Sequence, residues 1–516
     1  MLVSSVLPHD ISPLFIALLL GSVGAVLLSI RLLYNLYWHP LSKYPGPWYA
    51  AATSLSVAVI SVLKAEPQWL MSVVRKYGTE SPIRISPNVL LFPKPSSLKE
   101  IYWDPKCNTK MSLYGTGALG PPHLFTTLDG EEHKNLRKAL GGQQWTIGSL
   151  KNNWEPRIDD LVRLFIRKMT EKAQTQETVL LSERVAQVEF AADIMTMISF
   201  TEPWGFVKNS RDERGILSSW RKGLPLFGFA GRSVSFRKLL AIPGIGEQLL
   251  PKATDKDGFG YLMNWADKEV SRREEKLGDG LTSTQPDFLQ HCLDARMDGK
   301  PLSPVQKRAH VTLLIQAGAD TTGTALGATL RFLSLNPDKM KRAWEEVDAA
   351  DRAGKLSDPV QYEETREHLP FFCACIKEAI RLCPPADNLF GRVVGKSGKV
   401  IEGHFLPPGT EITSNAYVVQ RDPVLYGPDP EAFRPERWLE SKEKAAELEL
   451  HSFVFGIGPR ICLGKDVAII ELHKLLPEII RRFDIELVTP GRFVVAGGVA
   501  YFNDFNVKLI AREEVA

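Results

Sequence analysis

Phe455-Gly456-Ile457-Gly458-Pro459-Arg460-Ile461-Cys462-Leu463-Gly464 leads into an apolar-periodic stretch, Val467 to Ile480, that reads as a helix. A thiol placed just before a helix gains N–H donors and the positive end of the helix dipole, and both favour thiolate over thiol. Glycines on either side of Cys462 let a flat group approach the backbone, and Arg460 offers a forked cation for a carboxylate. Together these residues describe a socket for a metal-bearing anionic ring. A lone cysteine in a glycine-rich turn is more often a small core residue. Here the spaced glycines and the arginine favour the socket.

Working outward, Ser303-Pro304-Val305-Gln306 reads as a helix N-cap, an N1 proline and a capping-box partner. The pattern then runs as one long helix to Leu335, before Asn336-Pro337. Within it Gly318 and Thr321-Thr322 have low helix propensity, and a hydroxyl bonded to an earlier carbonyl opens a turn into a local groove. Gly318 and Thr322 would equally serve close packing of another helix. Glu378 and Arg381 share a face of an otherwise apolar helix, so the pair is at least partly buried and needs further hydrogen bonds. Most of residues 130 to 390 reads as helices, whereas Gly391 to Val419 has short apolar runs broken by Gly398, Gly403 and Pro407-Pro408-Gly409, which suggests short strands. The body is mainly α with a smaller β part.

The N-terminus adds a membrane element. Ile11 to Ile30 is uncharged, and at about 1.5 Å per residue it matches a hydrocarbon core of roughly 30 Å. A cleaved signal peptide would want a cationic start, which residues 1–10 lack, and Arg31 and Lys43 follow the span, placing its C-terminal side in the cytoplasm. His39-Pro40 and Pro45-Gly46-Pro47 then force a turn. The reading is a lumenal tail (1–10), a transmembrane anchor (11–33) and a proline-rich neck (34–47). Trp48 to Leu63 is uncharged but short, and reads as a packed or interfacial helix rather than a second span. The 63 Lys and Arg against 60 Asp and Glu, without a block of like charge, give no footprint for nucleic acid. Six cysteines and no glycosylation sequon imply no oxidising compartment for the bulk of the chain.

The opening stretch resembles the haem-binding signature of the cytochrome P450 family, Phe-x-x-Gly-x-Arg-x-Cys-x-Gly, with all its specified residues present: Phe455, Gly458, Arg460, Cys462 and Gly464. Other landmarks fall in order. Ala317-Gly318-Ala319-Asp320-Thr321-Thr322 resembles the oxygen-groove motif, and Glu378-Ala379-Ile380-Arg381 the Glu-x-x-Arg motif. Phe433-Arg434-Pro435-Glu436-Arg437-Trp438 resembles the downstream Pro-Glu-Arg motif, and His133-x-x-x-Arg137 the propionate-contacting motif with His in place of Trp. The anchor and neck fit the microsomal branch, particularly fungal members. The resemblance implies a cytochrome P450 fold over residues 48–516, one catalytic domain where length alone suggests about three. It implies haem b with Cys462 as axial ligand of the iron, and Arg137, Arg392, Arg460 and, more weakly, His133 near the haem propionates. Glu378, Arg381 and Arg437 become a structural triad, and Asp320 with Thr321 a proton relay. O2 is co-substrate, and electrons come from NADPH through a separate cytochrome P450 reductase at the endoplasmic reticulum membrane.

Several details extend or compete with this picture. A basic surface of Lys134, Lys138, Lys465 and Lys474 is the expected reductase dock. The apolar, breaker-rich stretches Gly223 to Phe229 and Ala241 to Ile245 suggest access for a lipophilic substrate from the bilayer, with Leu389, Phe390 and Val494 to Tyr501 as candidate pocket lining. The reading is oxygen insertion into a lipophilic small molecule in fungal secondary metabolism. An oxygen-independent haem-thiolate isomerase or dehydratase shares the fold. Cys373, Cys375, Cys383 and His368 raise a membrane-tethered metal-binding module, but their spacing fits no zinc knuckle. Gln420 stands where many members of the family carry His.

Overall fold

A computed structural model describes residues 13–104, 108–180, 186–278 and 287–512. Helix Pro13–Leu33 passes into a π-helical turn, Tyr34–Trp38. The stretch Phe15–Trp38 is long and apolar enough to cross a membrane, and its spanning window is not buried by the rest of the chain. The tail 1–10 and the first two residues of the expected anchor lie outside the described residues. The neck is fastened at its start. Asn35, 3% exposed, donates from Nδ2 to the Ala52 carbonyl at 2.8 Å, and Arg84 donates from Nη1 to the Asn35 carbonyl at 2.8 Å. Trp48 to Leu63 forms two short helices, Trp48–Ala52 and Leu55–Val62, and the second packs against helix Ile216–Arg232.

The body is mostly helical, with sheets at its sides. In the four-stranded sheet the order is Ile83–Ser86, Val89–Leu91, Glu411–Thr413, Arg392–Val393; the central pair is parallel and the outer pairs antiparallel. The short strands expected between Gly391 and Val419 are Arg392–Val393, Lys399–Ile401, His404–Leu406 and Glu411–Thr413. A long hairpin, Phe483–Ala496 and Val499–Ala511, takes Thr178–Leu180 as its third strand. It turns at Gly497-Gly498, both left-handed, at φ +56° and +88°.

One expectation changes. The single helix from Ser303 to Leu335 is two, Pro304–Ala317 and Ala319–Leu335, meeting at Gly318. The capping box at Ser303 and Gln306 forms as its spacing implies. At the junction Thr321 Oγ1 donates to the Ala317 carbonyl at 2.9 Å, a side-chain bond that competes with the helical ladder. A methyl group on Gly318 would also collide with Met195 of helix Ala186–Phe200. Groove and close packing therefore coexist at one glycine. Gly223 to Phe229, apolar and rich in breakers, is continuous helix within Ile216–Arg232 in spite of Pro225. Tertiary packing overrides the breaker: Leu224 and Phe227 are buried, and Gly223 lets Phe259 sit against the backbone.

Candidate active site

The Phe455–Gly464 loop forms the floor of a cavity of about 340 Å³, and the Gly318 break with Thr321 and Thr322 forms its roof. The loop is closed by Cys462 N donating to the Phe455 carbonyl at 2.8 Å, just before helix Lys465–Arg482. Gly458, at φ +75°, lies so close to the Tyr102 carbonyl that any side chain would collide with it. Gly464 faces open space, with nothing within 4 Å of the position a methyl would take. Cys462 lines the cavity. Its side chain is exposed to the cavity, and the enclosing protein raises its thiol pKa; the Gly464 N–H, Arg137 and Lys465 pull it down by less. The start of the helix thus acts in the direction its position implies but does not by itself make a thiolate. A metal ion on the sulfur would supply the missing charge.

The side wall is cationic. Arg137 donates to the Ile461 carbonyl at 2.7 Å, tying helix Gly130–Leu140 to the loop. Arg460 reaches the carbonyls of Thr127, Leu128 and Asp129 at 2.9–3.1 Å. Arg392, 3% exposed, stands 4.8 Å over the Tyr102 ring. His133 is buried with Nδ1 unpartnered, and burial together with Arg460, Lys110, Arg137 and Arg392 pushes it down to about 3. All four expected residues therefore line one wall. The structure adds Lys110, which no local pattern marks. It is 5% exposed, 4.1 Å from the Tyr114 ring centre, and held well below the usual lysine range by burial, Arg460 and Arg392. Arg460 itself is lowered to about 9 by burial and then by Arg392. Among the described residues Lys110, Arg137 and Arg460 form no ion pair. Buried cations crowded in this way are stabilised by an anion in their midst. A flat dianionic ring, with its acid groups on this wall and a metal on Cys462, fits the charge, the open face at Gly464 and the position of the sulfur.

Beneath the floor, Glu378, Arg381 and Arg437 are each at most 1% exposed. Glu378 accepts from Arg381 Nε and Nη2 at 2.8 Å, from Arg437 Nε at 2.8 Å, from the Arg434 N–H at 3.0 Å and from Trp438 Nε1 at 2.9 Å. Burial alone would raise this carboxyl, but its two arginines outweigh it and hold it below the usual range. Gln420 belongs to the same assembly: its carbonyl accepts from Arg381 Nη1 at 2.6 Å and its Nε2 donates to the Arg381 carbonyl at 3.2 Å.

At the roof Thr321 lines the cavity and Asp320 turns away from it. Asp320, 1% exposed, accepts from Arg221 Nη2 at 2.6 Å and Nε at 3.2 Å. Phe390, Gly497, Gly498 and Val499 contribute to the wall, as do Trp220, Leu224 and Phe227. One expected surface residue is misplaced. Lys474 is fully buried and bound to Asp159 at 2.6 Å and Glu155 at 2.9 Å, so it cannot belong to a docking patch. Its helix is buried nearly all round, which its polar residues concealed. Lys134, Lys138 and Lys465 are exposed. Cys375 and Cys383 are buried, and Cys373 donates to the Thr365 carbonyl at 3.4 Å.

Comparison with known proteins decides the family. The model of the family Cytochrome P450 matches residues 101–493. The chain belongs to the cytochrome P450 family. It is 30% identical over 464 residues to the cytochrome P450 monooxygenase gsfF of Penicillium aethiopicum, covering 88% of this chain and 90% of that one. The cytochrome P450 monooxygenase aba1 of Botryotinia fuckeliana is 30% identical over 487 residues, covering 92% of each. Quiannulatic acid synthase of Emericella variicolor is 29% identical over 469 residues, covering 88% and 90%. This P450 is a monooxygenase, an oxidoreductase that carries haem b, uses O2 and draws electrons from a reductase. That favours oxygen insertion over the oxygen-independent alternative.

Proposed function

We propose that this P450 is a single-pass protein of the endoplasmic reticulum membrane, with residues 48–516 as a cytosolic catalytic domain that oxidises a lipophilic small molecule in fungal secondary metabolism. The observation that carries the reading is the cavity itself, with Cys462 in its floor and Thr321 in its roof. Cys462 would hold the iron, while Arg137, Arg392, Arg460, His133 and Lys110 would surround the haem carboxylates, and Phe455, Gly458 and Gly464 would shape the lower face. When bound, the haem supplies oxygen activation, and a thiolate on its iron favours O–O cleavage.

The chain's own residues handle protons and substrate. Thr321 presents its hydroxyl at the break in the helix, and Asp320 is the acid next to it. The Asp320 carboxylate passes protons toward the cavity only when Arg221 loosens its hold, so the ion pair acts as a gate on the relay. Trp220, Leu224, Phe227, Phe390 and Val499 exclude water and hold an apolar substrate. Leu55, Val62, Leu63, Ile242, Ile245 and Leu249 are exposed apolar side chains suited to a bilayer surface. Lys134, Lys138 and Lys465 form the basic surface for an NADPH-dependent reductase. The named relatives, a quiannulatic acid synthase among them, support an oxidation in secondary metabolism.

The test has two stages. The purified chain, reduced and treated with carbon monoxide, should show the thiolate-ligated haem band, and Cys462→His should abolish it. Candidate metabolites supplied with reductase and NADPH should gain one oxygen by mass. A colourless protein, or turnover without mass gain, would defeat the reading.

A further inference from the structure

Asn388 sits between helix Pro370–Leu382 and strand Arg392–Val393, is 3% exposed and lines the cavity. Its Oδ1 accepts from Arg232 Nη2 at 2.8 Å and from the Leu389 N–H at 2.8 Å. Both partners can only donate, so the oxygen must face them and the –NH2 must face the other way. Arg232 is itself fixed by Glu66, with Nε to Oε2 and Nη2 to Oε1 both at 3.0 Å. The Arg232 and Glu66 side chains are 1% and 2% exposed. A buried ion pair therefore sets the orientation of one amide.

Nothing among the described residues accepts from Asn388 Nδ2. On its side lies Gly498, at φ +88°, where a methyl group would stand 2.5 Å from that nitrogen. Gly498 also lines the cavity, and its carbonyl accepts the Asp387 N–H at 3.0 Å, which locks the hairpin tip beside the amide. The surrounding wall is apolar, with Leu224, Phe227, Phe390 and Val499. Trp220, one turn before Leu224 on the cavity side of the same helix, has a buried indole N–H without an acceptor among the described residues. This wall thus offers donors, the Asn388 amide and the Trp220 indole, and a donor left unmet in an apolar site costs more than one that finds an acceptor.

We propose that Asn388 is a specificity-determining residue that donates a hydrogen bond to an oxygen already present on the substrate, a carbonyl, ether or hydroxyl remote from the carbon to be oxidised. The substrate class narrows to oxygenated lipophilic molecules, and a bare hydrocarbon fits the cavity less well. The inference rests on the monooxygenase reading above.

The test uses the haem-loaded full chain and its Asn388→Leu and Asn388→Asp variants. Asp keeps the shape and the bond to Arg232 but lacks the donor. A reduced carbon monoxide band in all three forms secures the haem-thiolate reading independently, so the titrations then address Asn388 alone. Two probes that differ by one carbonyl, trans-2-decalone and trans-decalin, are titrated by the spin-state shift of the haem absorption. Each variant should weaken decalone by about fivefold and leave decalin unchanged, the loss expected for one neutral hydrogen bond. Equal weakening of both probes, or undiminished decalone binding in either variant, would overturn the proposal.

Discussion

The floor and the roof of the cavity each carry a buried carboxylate bound to arginine, and they use it differently. Glu378 is held by donors from its own helix and from the Arg434–Trp438 turn, and its arginines are bonded onward, Arg381 to the Gln420, Pro430 and Ala432 carbonyls and Arg437 to those of Tyr426 and Asp429. Among the described residues Asp320 pairs with one arginine, and that Arg221 side chain is 15% exposed on a helix that also lines the cavity. A carboxylate satisfied from every side holds a shape, and the proposed relay asks the opposite of Asp320, whose arginine is partly exposed. On that proposal the floor stays and the roof changes.

The largest expected effect is at Cys462. Cys462→Ser should leave the melting temperature of the haem-free chain within a degree or two while removing the thiolate band and all turnover; a retained band would break the contrast at its centre. Glu378→Gln comes next, because it leaves Arg381 and Arg437 buried with too little negative charge, at a cost of about 3–5 kcal/mol. Denaturant unfolding checks it, and a change below about 1 kcal/mol would show that the floor is not clamped as described. At the roof, Asp320→Asn should cut turnover about a hundredfold and cost less stability than Glu378→Gln, because it strands one partly exposed arginine instead of two buried ones. Thr321→Ala should keep NADPH consumption while lowering product per NADPH, read as the ratio of the two rates.

A pH scan compares the two regions directly. His310 in the roof helix and His473 in the floor helix are both pushed down to about 4 by burial. Unfolded, each titrates near 6.5. The unfolded chain then takes up the proton first, so their contribution to stability is full above about pH 6.5 and is lost as the pH falls toward 4. His310→Gln and His473→Gln should each flatten part of that fall in melting temperature, and a response from one alone would show that burial is not the shared cause. The smallest effect belongs to the surface. Charge reversal at Lys134, Lys138 or Lys465 should slow reduction by on the order of threefold at low salt, and the difference should vanish at high salt.

What was legible in the chain follows from range. The Cys462 loop could be read because its chemistry is compressed into ten neighbouring positions, and Glu378 with Arg381 because helical spacing puts them on one face. Arg437 and Arg392 were reachable only through the family resemblance. Lys110 carries no local signal at all: it joins the cationic wall because its backbone bridges to Arg392, far along the chain. Lys474 misled because a lysine on an amphipathic pattern reads as solvated, and only the folded chain brings Glu155 and Asp159 to it. Gln420 gained meaning in the same way, through a helix that it touches only in three dimensions.

The fastening at Asn35 has a consequence for how the enzyme meets its partners. With the Pro13–Leu33 helix in a bilayer, the bonds from Asn35 to Ala52 and from Arg84 to Asn35 would make the neck a mast rather than a tether. The catalytic body would then drift across the membrane at a nearly fixed height and tilt, turning only about the membrane normal. Each encounter would become a two-dimensional search in which much of the orientational entropy had already been surrendered during folding.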